Sequence, residues 1–137
     1  MEKLHIHSTK TTPEIILSPE ENIFVIRGTS TPEDVREMYY PVIEWIKKFL
    51  DDILDGKNDS YSSENPLEFQ IDLAYFNSSS AKFLFDIFSE LKRLTPAGIP
   101  FAVEWFYDED DLDMKEAGQN FSSLVETEFV YIPKKNK

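Results

Sequence analysis

Cysteine is absent from the 137 residues. That excludes disulfides, zinc–thiolate sites and a cysteine nucleophile. Glycine is scarce, with 4 in all, and none builds a phosphate-cradling loop or a G-x-S-x-G elbow. No apolar run approaches the roughly 18 residues of a membrane span. The first segment, MEKLHIHSTKTTPE, lacks the apolar stretch of a secretion signal. These absences lead to the expectation of a cytoplasmic protein. Basic residues are outnumbered, 14 against 26 acids, for a net charge of −12. Such a surface repels nucleic acid and anionic membranes, because tight phosphate binding needs clustered Lys and Arg. Lys134, Lys135 and Lys137 form the one basic cluster, which reads as a frayed terminus. A basic protein partner is compatible with the charge.

Aromatic residues are plentiful, with 11 Phe and 6 Tyr, and hydrophobic residues make up 41%. A chain of this length and composition can bury one core, so residues 1–137 are expected to be a single domain. The ends, 1–12 and 133–137, are expected to be flexible. EIILS (14–18) and NIFVIRG (22–28) read as a β-hairpin around Pro19, Glu20 and Glu21. In the next segment Thr31 suits an N-cap, and Pro32 suits the first helical position. Val35, Met38, Tyr39, Val42, Ile46, Phe49, Leu50 and Ile53 then follow the helical period. Pro41 lies inside that pattern and predicts a kink or a break into two helices.

KNDSYSSENP (57–66) reads as a loop. LEFQIDLAY (67–75) alternates, placing Leu67, Phe69, Ile71, Leu73 and Tyr75 on one face. After Asn77-Ser78-Ser79-Ser80, the residues Leu84, Ile87, Phe88, Leu91 and Leu94 make a helical stripe. PFAVEWFY (100–107) is a further strand, a short helix follows DEDD, and EFVYI (128–132) is a last strand. The alternating strands predict an α/β domain with a mixed sheet of about five strands and helices mainly on one face.

Few groups invite chemistry. His5 and His7 could bind a metal, but no neighbour in sequence completes a ligand set, so no metal site is assigned. Asp108, Asp110, Asp111 and Asp113 lack the glycine and distant glutamate of an EF-hand loop. They read as a solvated turn favouring a helix start; a small acidic metal-binding enzyme built on them is the rival reading. No catalytic residue or cofactor is assigned. The turn Asn77-Ser78-Ser79-Ser80 supports two readings. Ser and Asn are preferred helix caps, each worth about 1 kcal/mol. The turn also joins a strand's carboxyl end to a helix start, where ligands and partners meet open α/β sheets. A phosphate there would add about −1.5 to −2 charges beside the positive helix end and within reach of Lys82.

Three stretches resemble a known family in order. They are TPEIILSPEENIFVIRGTSTPEDVREMYYPVIEWIKKFL, LAYFNSSSAKFLFDIFSEL and VEWFYDEDDLDMKEAGQNF. They carry S-x-PE before the first long helix, the Y-x-N-[TS]-S-S turn and W-x-YDE-x-D-x-D-M-x-E. Together they resemble the SiaC family of regulatory phosphoproteins over nearly the whole chain. The resemblance implies a STAS-like fold, similar to anti-sigma-factor antagonists, and a non-enzymatic partner-switching role. It further implies a cognate serine/threonine kinase, a metal-dependent serine/threonine phosphatase, and a downstream target that in the best-known system is a diguanylate cyclase. By position it makes Ser78 the phosphate acceptor, where the best-known member has threonine, with Ser79 as the alternative. Asn77, Ser78, Ser79, Ser80 and Lys82 are the implied partner-binding residues.

Overall fold

A computed structural model describes residues 1–135; the part of the expected flexible end formed by Asn136 and Lys137 lies outside them. Six strands form one sheet in the order of the sequence. They are β1 (Leu4–Ile6), β2 (Glu14–Ser18), β3 (Ile23–Ser30), β4 (Leu67–Phe76), β5 (Phe101–Asp108) and β6 (Val130–Lys134). The pairs β1–β2 and β2–β3 are antiparallel, and β3–β4, β4–β5 and β5–β6 are parallel. Three helices, α1 (Val35–Leu54), α2 (Ser78–Leu91) and α3 (Leu112–Leu124), connect the parallel strands. Each parallel neighbour pair is joined by one helix, and such crossovers are right-handed. All three helices therefore lie on one face, and the expected mixed α/β sheet is what forms.

The core lies between the sheet and this helical layer. Ile15, Leu17, Ile26, Leu67, Ile71 and Trp105 supply the sheet side, and Tyr39, Ile46, Leu50, Leu84, Ile87 and Phe88 the helical side. Every residue of the stripe expected between Leu84 and Leu94 is buried. The opposite sheet face has no helix over it. It carries polar pairs instead: Gln70 with Glu104 at 3.0 Å, and Lys134 with Asp72 at 2.6 Å.

Several local expectations differ from what forms. Residues 4–6, expected within a flexible end, add strand β1 because Leu4 and Ile6 reach the core from the sheet edge. The Trp45 indole N–H also donates to the Glu2 carbonyl at 2.9 Å, anchoring the chain before it. At the other end, Pro133 and Lys134 belong to β6. Thr31 does not cap α1. Its backbone N–H and its hydroxyl both donate to the Thr11 carbonyl, and Asp34 caps instead by accepting from the Glu37 N–H at 3.1 Å. Nor does Pro41 divide the helix, because α1 runs unbroken through it. Pro41 and Glu37 are both exposed, so water can satisfy the Glu37 carbonyl that has no N–H partner.

The most consequential difference lies at the end of β4. Pairing with β3 runs Gly28↔Leu73 and then Thr29↔Tyr75, so Ala74 is an extra residue in the ladder. Such a bulge resets the in–out alternation beyond it. Gly28 lies at the shift with φ +114, a conformation that a side chain strains. Strict alternation predicts Tyr75 inward. The bulge instead leaves Tyr75 59% exposed and lets Phe76 pack on Trp105 and Phe121.

Candidate functional site

The parallel strands β3, β4 and β5 all point their carboxyl ends to one edge, where α1, α2 and α3 begin. Each helix start there has an Asx cap: Asp34, Asn77 and Asp111. The Asn77-Ser78-Ser79-Ser80 turn sits in the middle of this edge, held by the Asn77 N–H donating to the Ser30 carbonyl at 3.1 Å.

Its four polar side chains have separate roles. Asn77 is the cap, and its Oδ1 accepts from the Ser80 backbone N–H at 3.0 Å. Ser79 is exposed and donates its hydroxyl to the same Oδ1 at 3.0 Å. Ser80 is fully buried, so its side chain does not belong to the surface expected to meet a partner. Its hydroxyl donates to the Ser30 carbonyl at 3.0 Å and accepts from the Ser30 hydroxyl at 2.9 Å. The Ser30 hydroxyl also bonds the Tyr39 phenol at 2.6 Å, and burial pushes the Tyr39 phenol pKa up. These three hydroxyls tie β3, α1 and α2 together inside the core. Sequence reasoning missed Ser30 and Tyr39 here, because one ends a strand and the other sits in an apolar stripe.

Ser78 is the first residue of α2 and is exposed. Among the described residues its hydroxyl has no hydrogen-bond partner. Its backbone N–H belongs to the first turn of a helix, where N–H groups have no intrahelical acceptor. Lys82 is exposed one turn on, but its ammonium is engaged by Asp86 at 2.8 Å and lies 4.8 Å from the centre of the Phe83 ring. The elements that meet at this turn carry exposed aromatic residues. Tyr40 on α1 is 54% exposed, Tyr75 stands just before the turn, and Phe85 projects from α2. Acidic residues surround this patch on the same edge: Glu33 and Asp34 before α1, and Asp108, Glu109 and Asp113 around the start of α3. Asp111 accepts from the Met114 N–H at 3.0 Å. Among the described residues the acidic run gathers no three ligand atoms, whereas His5, His7 and Glu14 do.

A two-layer α/β domain with an exposed hydroxyl at a capped helix start is the class defined here. The chain belongs to the SiaC family of regulatory phosphoproteins, whose sequence model matches residues 6–134. An uncharacterised protein of Pseudomonas aeruginosa (strain UCBPP-PA14) is 31% identical over 121 residues, covering 88% of each chain. Apo-SiaC from Pseudomonas aeruginosa has a similar structure, with TM-score 0.78 and 29% identity, covering 98% of this chain and 99% of that one. SiaC in complex with the diguanylate cyclase SiaD, which it activates, is similar at TM-score 0.78 and 28% identity. That match covers 97% of this chain and 99% of the other.

Proposed function

We propose that this chain is a non-enzymatic partner-switching regulator, controlled by phosphorylation of Ser78. The observation that carries the reading is the exposed Ser78 hydroxyl at the start of α2, without a partner among the described residues, in a chain of this phosphoprotein family. Ser79, already bonded to Asn77, is the alternative acceptor. A cognate kinase adds the phosphate and a metal-dependent serine/threonine phosphatase removes it. The unphosphorylated form docks its target, for which a diguanylate cyclase is the leading candidate because the relative SiaC activates one.

The physics of the edge favours release on phosphorylation. Exposed Tyr40, Tyr75 and Phe85 supply the kind of aromatic surface that anchors interfaces. A phosphate dianion at the start of α2 must lose water when a partner docks against this helix. Without a compensating cation this costs several kcal/mol. Lys82 offers limited compensation because Asp86 already engages it. A penalty of about 3 kcal/mol weakens binding roughly a hundredfold.

The test has two arms. Phosphopeptide mapping after reaction with the cognate kinase is expected to place the phosphate on Ser78. Phosphate wholly on Ser79, Ser80 or a distant residue would refute Ser78 as the acceptor. Pull-downs from the native lysate are expected to recover the target with Ser78→Ala and to lose most of it with Ser78→Asp or the phosphoprotein. Equal or stronger retention by the Asp variant and the phosphoprotein would reverse the proposed direction.

A further inference from the structure

The first two strands bring together side chains that are separated in the sequence. β1 pairs with β2 in the register His5↔Ile16 and Ile6↔Ile15. One step further along that register, His7 falls beside Glu14. Side chains alternate across a strand, so His5 and His7 share the open face of the sheet with Glu14. The imidazole centroids lie 4.2 Å apart, and His5 Nε2 is 2.9 Å from Glu14 Oε2. One ligand atom from each of the three residues falls within 4.8 Å of the others.

We propose that His5, His7 and Glu14 form a binding site for one divalent transition-metal cation of the zinc class. A hydrogen bond to Glu14 accounts for His5 alone. The second imidazole, on the same strand face, is what makes the group a chelating set. Imidazole nitrogens select zinc, copper and nickel, whereas calcium and magnesium take oxygen ligands. Three protein ligands leave a fourth position open to water. Metal–ligand bonds of about 2.0–2.2 Å require the donors to close in from their present spacing. His7 is exposed, and its ring already lies against that of His5. The carboxylate is already oriented. Arg27 donates to Glu14 Oε1 at 2.7 Å, leaving Oε2 on the histidine side. The hydrogen bond from His5 and that from Arg27 hold the Glu14 pKa below the usual carboxylate range. The positive Arg27 also repels a cation, which keeps the site's affinity moderate. Binding would tie the edge strand β1 to β2 through side chains as well as backbone.

The test is isothermal titration of the tag-free 137-residue protein with zinc chloride, alongside His5→Ala, His7→Ala and the double variant Asp108→Asn/Asp110→Asn. One-to-one binding is expected, at least tenfold weaker in each histidine variant and unchanged in the acidic-run control. Circular dichroism in EDTA checks that each variant stays folded. A second measurement needs no variant: substoichiometric copper(II) is expected to broaden the His5 and His7 ring signals before any others. The proposal is overturned if zinc shows no saturable one-to-one binding, or if affinity survives both histidine substitutions. It is equally overturned if the acidic-run variant loses binding, or if copper first broadens signals elsewhere.

Discussion

Ser78 and Ser80 are chemically identical and two positions apart, yet they face opposite environments. On an α-helix that spacing turns a side chain by more than half a circle. Ser80 therefore points into the core, where Ser30 satisfies it, and Ser78 points to water. Replacing Ser80 with Ala removes the acceptor of the buried Ser30 hydroxyl and one of the two donors to the Ser30 carbonyl, at an expected cost of about 1–3 kcal/mol. Ser78→Ala is expected to stay within about 0.5 kcal/mol of the parent, as exposed substitutions do. Urea melts of the two variants decide this. Equal losses, or a larger loss for Ser78, would make Ser78 a structural residue and remove the main support for the switch. The identities at this turn were legible in the sequence as a set of possible caps. Which hydroxyl caps, which is free and which is buried depended on Ser30 and Tyr39, and neither advertises its role locally.

At the scale of elements, α3 shows how one small residue sets a packing distance. A methyl group placed on Gly118 would lie 2.6 Å from Trp105 Cδ1. Trp105 is fully buried and its indole N–H donates to the Met114 carbonyl at 2.9 Å, so it has little room to yield. Gly118→Ala is expected to destabilise by about 1–3 kcal/mol, as overpacking does, despite the better helix propensity of Ala. Thermal melts measure it; a stabilised variant would show that the ring moves aside freely. The long periodic helices and the central strands were legible from their spacing alone. β1 was not, because three residues between polar neighbours carry too little pattern. The outward turn of Tyr75 was not legible either, since the bulge that causes it is a mismatch between two strands and belongs to neither one.

For the whole molecule the dominant number is the net charge of −12. Most ion pairs here are exposed, such as Lys3–Glu21 and Lys82–Asp86, and exposed pairs contribute little. Self-repulsion of the excess acids extends over the molecule and is screened by salt. Raising sodium chloride from low to moderate concentration is therefore expected to raise Tm by a few degrees, corresponding to roughly 1 kcal/mol. Differential scanning calorimetry at two salt concentrations is the measurement. A falling Tm would mean that the ion pairs outweigh the repulsion. The charge also bears on partners, since it favours a target with a basic rim around an apolar centre.

The class of fold, the order of the main elements and the place of the serine turn can be read from the chain alone. These depend on local spacing, and periods of two and 3.6 residues are written directly in the chain. Strand β1, the inward Ser80, the outward Tyr75 and the meeting of His5 and His7 with Glu14 emerge only when the segments pack together. Each results from the register between segments far apart in sequence. Register is set by how side chains fit across strands and layers, which no single segment encodes.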